Sequence, residues 1–288
     1  MPSRLVAPLL LAGTVSMIGG AALAEPPLWV IEEEDATVYM VGTIHLMRDG
    51  AAWRTEAFDA AFEAADVVWL ELAGAGDPEA MVPDIMERAL SPEASLSERL
   101  EADDFALLED ALETYGVPIE AINHVQPWFA ALQLTTIPLV EAGFDPANSL
   151  DLLIEAEAED AGKRILAFET VEEQIETLAG MSEEAQIEML RQTLLDIRNS
   201  GDAMVEQVDA WADGDLDALA ESIEQAYVTA PEFHDRLFTQ RNIGFADQIE
   251  EIVADGGTAL VAVGLGHFVG EGSIPELLEA RGYEVELR

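Results

Sequence analysis

Two apolar runs, far apart in the chain, end the same way, and they constrain the fold more than any other feature. Val38-Tyr39-Met40-Val41 leads into Gly42-Thr43-Ile44-His45, and the run from Thr258 to Val263 leads into Gly264-Leu265-Gly266-His267. The chain has only four histidines, and two of them occupy these matching places. Continuous apolar runs read as strands buried on both faces of a parallel sheet. In open α/β sheets the ligand site lies beyond the carboxyl ends of such strands. Both histidines are therefore expected at one edge of one sheet. A glycine ahead of each lets the backbone turn sharply and approach the site closely.

The rest of the chain supplies the other layers. Leu28 to Ile31 reads as a first strand, joined through the acidic turn Glu32 to Asp35 to the Val38 strand as a hairpin. Helical spacing follows from Ala51 to Ala65, then a strand from Asp66 to Leu72 with Glu71 near its end. A right-handed crossover would set that strand end beside the one carrying His45. A long helical stretch runs to Gly143, broken at Pro92, Gly116 and Pro118, and a helix over 150–161 follows a loop at Gly143-Phe144-Asp145-Pro146. The strand Arg164 to Thr170 brings Glu169 to its carboxyl end. Acidic helical segments fill 182–230, and a helix over 231–251 embeds Arg236 and Arg241-Asn242 among apolar residues. A helix over 274–280 and a strand over 283–287 come after His267. The expected fold is α/β, a central mostly parallel or mixed sheet with helical insertions near 75–143 and 182–235, forming one domain over 25–288.

Composition narrows the function classes. The formal charge of −45, from 58 acidic against 13 basic side chains, repels phosphate backbones and anionic headgroups, so neither nucleic acid nor a membrane surface is an expected partner. With no cysteine there are no thiol nucleophiles, cysteine-ligated metals or lipoprotein anchor. Residues 1–24 carry Arg4, an apolar stretch from Leu5 to Ile18 and the A-x-A site Ala22-Leu23-Ala24, which read as a signal peptide cleaved after Ala24. The mature chain is then periplasmic or secreted.

Four polar residues close four apolar strands: His45, Glu71, Glu169 and His267. Two imidazoles with one or two carboxylates are a donor set for a divalent ion of the Mn, Co or Zn class, with positions left open for water. Such an ion would activate that water and polarise a carbonyl, and the second carboxylate could act as base. Taken singly, each is equally a hydrogen-bonded or solvent-facing strand-end residue, and the repeated context is what singles them out. Arg241 admits two readings, a surface-paired arginine or an inward clamp for a substrate carboxylate, with Asn242 beside it. His124 and His234 end no strand and read as structural, and Asp145 and Asp151 as loop and cap residues. Gly264-x-Gly266-x-x-x-Gly270 imitates a dinucleotide fingerprint, but His267 would protrude into the pyrophosphate seat and nothing nearby supplies positive charge.

These residues, taken in order, resemble the TraB/PrgY/GumN family, which includes the Tiki metalloproteases. The resemblance spans nearly the whole mature chain: Leu28-Trp29, Val41 to Leu46, Glu71-Leu72, Phe168-Glu169-Thr170 with Gln174, Arg241-Asn242, Val263 to His267 with Gly270 and Gly272, and Gly282-Tyr283-x-Val285. The short, signal-bearing form looks most like the GumN-like branch. Phe168 departs from the usual Leu, and Ile243-Gly244-Phe245 from the usual aromatic-rich stretch. The resemblance implies Mn- or Co-dependent proteolysis through His45, His267 and Glu71, with Glu169 as the other acidic candidate. The expectation is an exported metal-dependent hydrolase acting on a peptide or small-molecule substrate. In it His45, His267, Glu71 and Glu169 hold metal, Glu71 and Glu169 do acid–base work, and Arg241 and Asn242 orient substrate or support the ligands. No oligomeric state is assigned. The alternatives are a periplasmic protein that binds or sequesters a peptide or small ligand, and an accessory factor of envelope polysaccharide production.

Overall fold

A computed structural model describes residues 27–51, 53–74, 78–199 and 215–288. The expected signal peptide lies outside the described residues, as does the part of the acidic helical stretch over 200–214. Among the described residues no helix is long and apolar enough to cross a membrane.

The strands are β1 (Leu28–Glu32), β2 (Ala36–Thr43), β3 (Met47–Arg48), β4 (Val67–Leu72), β5 (Phe144–Asp145), β6 (Arg164–Glu169), β7 (Gly257–Gly264) and β8 (Val285–Leu287). Six of them form a mixed sheet in the order β6-β4-β7-β2-β1-β8. The four strands β6, β4, β7 and β2 run parallel, while β1 returns antiparallel to β2 as the expected hairpin and β8 pairs antiparallel to β1. Ala259 to Val263 are buried without interruption, and Val38, Met40 and Val41 are buried with Tyr39 partly so, as in strands covered on both faces. One expectation is corrected. β7 lies between β2 and β4, so the strand ends carrying His45 and Glu71 are not neighbours; the end carrying His267 separates them. A second correction concerns Gly143 to Pro146, where Phe144 and Asp145 pair with Met47 and Arg48 as a two-stranded ribbon rather than lying wholly in a loop.

The helices are α1 (Glu56–Ala64), α2 (Pro78–Ala89), α3 (Leu96–Arg99), α4 (Ala102–Tyr115), α5 (Pro127–Glu141), α6 (Leu150–Asp160), α7 (Val171–Ala179), α8 (Glu183–Asn199), α9 (Leu216–Thr229), α10 (Pro231–His234), α11 (Gln240–Asp255) and α12 (Ile274–Ala280). Three helix boundaries show a local cause. Thr55 caps α1 through Phe58 N–H, Thr170 and Glu173 form a reciprocal capping box on α7, and Gly116 ends α4 in the left-handed conformation. α6 packs against β4, β6 and β7, and α11 against β2. The inserted helices α3, α4, α5 and α8 bury their own apolar cluster, with Leu96, Leu108, Leu112, Leu134, Leu190 and Leu194 at its centre. Between α10 and α11 lies a π-helical turn, Asp235–Thr239, which joins the two into one continuous helical run.

Candidate functional site

The site forms where β2, β4, β6 and β7 end. His45 follows β2 by two residues, and His267 lies in the short 3-10 turn Leu265–His267 that follows β7. Neither Gly42 nor Gly264 has positive φ, so both are glycine for close approach and not for a left-handed turn. A Cβ on Gly42 would sit 2.4 Å from Leu265 Cδ1 and 3.1 Å from Leu265 Cα. One Gly-x-x-His turn therefore packs directly on the other.

Ladder pairing between β4 and β7 stops at Leu70 and Ala262. The backbone N–H of Gly264 beyond it donates to Glu71 Oε2 at 3.0 Å, and Gln174 Nε2 donates to Glu71 Oε1 at 3.1 Å. Glu71 is 5 % exposed. Burial alone would push its carboxyl up, but the charges of His267, Arg241 and His45 and the Gly264 N–H outweigh this and hold it down at about 2. It is a buried carboxylate.

Arg241, on the first turn of α11, is 8 % exposed and uses all five of its N–H groups. Nε and Nη2 grip Glu169 Oε1 and Oε2 at 2.8 and 2.7 Å, and Nη2 also donates to Glu71 Oε1. Nη1 donates to Leu237 O, inside the π turn, and to His267 Nε2, each at 3.1 Å. The inward reading of Arg241 is the one observed, and its partners are the protein's own carboxylates.

Both histidines present Nδ1 to an oxygen. Leu150 N–H bonds to Ile44 O, which ties the start of α6 to the end of β2. Asp151 thereby accepts from His45 Nδ1 at 2.8 Å, from Thr43 Oγ1 at 2.5 Å and from Ser149 Oγ at 2.9 Å. On the other side Asn242 Nδ2 donates to Gly272 O, so its Oδ1 faces His267 Nδ1 at 2.6 Å. An amide oxygen and a carboxylate can only accept, so each Nδ1 carries a hydrogen. His267 is then neutral with its lone pair on Nε2, which matches the N–H that Arg241 directs there. Burial between the Phe238 and Phe245 rings pushes its pKa down to about 3, Glu71 opposing and Arg241 and His45 assisting. His45 shifts the other way: the Asp151 charge raises its affinity for a proton against the cost of burial. Its side chain is 62 % exposed, so solvent screens part of that pull.

His45, Glu71, Glu169 and His267 thus come together at one edge, with Arg241 and Asn242 among them. His234 packs against Phe238 behind His267, and Asp145 accepts from Ala147 N–H within its loop. The sequence alone reads Asp151 as a cap, yet it is the residue that fixes His45. Its position in the first turn of α6 looks in the sequence like that of any helix-start acid.

The donor chemistry fits a divalent cation. Two histidines have their tautomer fixed by an oxygen on Nδ1, as metal-binding histidines do. Three carboxylates (Glu71, Glu169 and Asp151) face one guanidinium and two imidazoles, of which His267 is neutral, an excess of negative charge that a cation would offset. Among the described residues, however, no three histidine, aspartate or glutamate side chains stand together as a ready metal-binding group. The guanidinium of Arg241 already donates to Glu71, Glu169 and His267. On the Glu169 and Arg241 side of the site lies a cleft of about 830 Å³, with Phe168 and Phe245 also in its wall and Glu172, Glu173 and Glu176 along α7; His45, Glu71 and His267 do not line it.

Fold and site define an α/β protein with a buried histidine–carboxylate–arginine centre at the carboxyl edge of its parallel strands. The chain belongs to the TraB/PrgY/gumN family, whose sequence model matches residues 27–287. No curated protein and no solved structure gives a match.

Proposed function

We propose that this chain is an exported hydrolase of peptide-like bonds that works with a divalent metal ion held by His45, Glu71 and His267. One observation carries the reading. The two histidines of the paired turns each have Nδ1 bound to an oxygen, which makes Nε2 the donor atom, and the buried carboxylate of Glu71 ends β4, next to the β7 end that leads to His267. A bound ion would polarise the scissile carbonyl and acidify a water there. Asp151 and Asn242 hold the two imidazoles in register. Arg241 forms ion pairs with both Glu71 and Glu169 and offsets their charge. Glu169, with both oxygens in the Arg241 fork, is the weaker candidate for metal binding; it faces the cleft and serves as the acid–base group nearest an entering substrate.

The test is the metal content of the mature protein, purified without chelators or histidine tags, beside a His45→Ala/His267→Ala double variant. Moderate salt suppresses diffuse cation binding to so acidic a surface. Stoichiometric Mn, Co or Zn in the parent, lost in the double variant, together with metal-dependent cleavage of a peptide library, is the expected result. Equal weak binding in both proteins would remove the metal. Retention of peptides without cleavage would turn the reading into the sequestering one.

A further inference from the structure

We infer that Arg241 is the resident competitor for the cation site, a gate whose guanidinium must release His267 and Glu71 before a metal ion can use them. The inference rests on the proposed metal-binding reading, and it deepens that reading.

A neutral histidine with a hydrogen on Nδ1 has one lone pair, on Nε2. In this molecule that lone pair receives Arg241 Nη1 at 3.1 Å. Glu71 Oε1 receives both Arg241 Nη2 and Gln174 Nε2. Glu71 Oε2 receives the Gly264 N–H. The His267 and Glu71 atoms suited to hold a cation therefore already accept hydrogen bonds, and one charged side chain, Arg241, donates at both residues.

The remaining bonds of Arg241 show how it would move. Its fork to Glu169 uses Nε and one hydrogen of Nη2, and Leu237 O takes one hydrogen of Nη1. Glu169 is the partner on the cleft side, whereas Glu71 and His267 lie deeper. A small rotation about the fork surrenders the two inner contacts and keeps the outer two. The arginine then still neutralises Glu169 while the metal neutralises Glu71. The π turn immediately before α11 supplies the Leu237 carbonyl and is the irregular segment from which such a shift can be taken up.

Lysine at this position keeps the charge but is a single point donor. It cannot fork to Glu169 and cap Glu71 and His267 together. Glutamine removes both charge and fork. Mn(II) affinity of the full mature chain, read by equilibrium dialysis and by the paramagnetic resonance of free Mn(II), separates the cases. The expected result is Mn(II) binding about tenfold or more tighter in both Arg241→Lys and Arg241→Gln, the size of one charge-assisted hydrogen bond that no longer has to be broken. Added Mn(II) is also expected to raise Tm more in these variants than in the parent. Tight stoichiometric binding in the parent with no gain in either variant overturns the gate and leaves the metal reading standing. A gain in Arg241→Gln alone reduces the effect to bulk charge and also overturns the gate. If Arg241→Gln fails to fold, Arg241→Lys alone decides between gain and no gain. Absence of site-specific Mn(II) binding in parent and variants alike removes the metal reading, and the gate with it.

Discussion

Arg191 and Arg241 each hold a carboxylate with two N–H bonds. Arg191 Nε and Nη2 reach Asp104 at 2.7 and 2.5 Å, and Arg241 Nε and Nη2 reach Glu169 at 2.8 and 2.7 Å. The local geometry is nearly the same, and the surroundings are not. Arg191 lies on α8, 38 % exposed, and its further ion partner is Glu188 one turn away. Arg241 is 8 % exposed and reaches a second carboxylate and a histidine that arrive from two other strands. The first arrangement fastens α8 to α4. The second gathers three strand ends around one charge. A forked arginine is thus no sign of a site in itself; convergence of independent elements on it is.

The largest effect should come from removing that charge. Arg241→Met leaves the buried Glu71 and the partly buried Glu169 without their cation, a loss of about 3–5 kcal/mol. Arg191→Met opens a bridge whose arginine is 38 % exposed, so that water can take its place beside the buried Asp104, a loss of about 1 kcal/mol. Urea unfolding midpoints at moderate salt measure both. Equal losses would erase the distinction between the two regions.

Next in size is the anchoring of His45. Asp151→Asn weakens the hold on its ring and is expected to cost about 10- to 100-fold in metal affinity, the usual penalty for losing a ligand's supporting oxygen. Asp104→Asn in the helical region should leave metal affinity unchanged in the same dialysis experiment. Its effect appears in acid instead. The Arg191 hydrogen bond holds the Asp104 carboxyl below the usual carboxylate range, with burial opposing. A carboxyl more acidic in the folded than in the unfolded chain stabilises fully above about pH 4 and loses that contribution as pH falls through its folded value. Asp104→Asn should therefore flatten the acid limb of the Tm-against-pH curve below about pH 4. An unchanged limb would mean that the bridge contributes nothing in solution.

How much of this could be read from the sequence follows the same division. β2 and β7 were legible because their apolar runs are continuous and their ends repeat, and Glu71 and Glu169 because each closes such a run. The hairpin of β1 with β2 was legible from its four-residue acidic turn. The placement of β7 between β2 and β4 was not, since a strand some 200 residues downstream leaves no local mark of its neighbours. Asp151 was misread because its task depends on the Leu150–Ile44 backbone bond, a long-range contact. The face of Arg241 was ambiguous for a physical reason: the π turn at Asp235–Thr239 shifts the helical phase, and a 3.6-residue period counted from Pro231 points the wrong way by the time it reaches Arg241.

The smallest effect tests whether the site's order comes from its side chains or from the stiffness of the helix that carries them. Gly244 sits one turn after Arg241 within α11, its φ is not positive, and a Cβ built there meets nothing within 4 Å. Alanine at an open helix-interior position should stabilise the fold by about 0.5–1 kcal/mol. If Arg241 and Asn242 are held by Glu169, Glu71 and Gly272 O, stiffening α11 changes their geometry little, and Mn(II) affinity should stay at the parent value. Should Gly244→Ala raise stability and weaken metal binding together, α11 must flex for the centre to load. The Arg241 cluster would then differ from the Arg191 bridge in the mobility of its helix as well as in its partners.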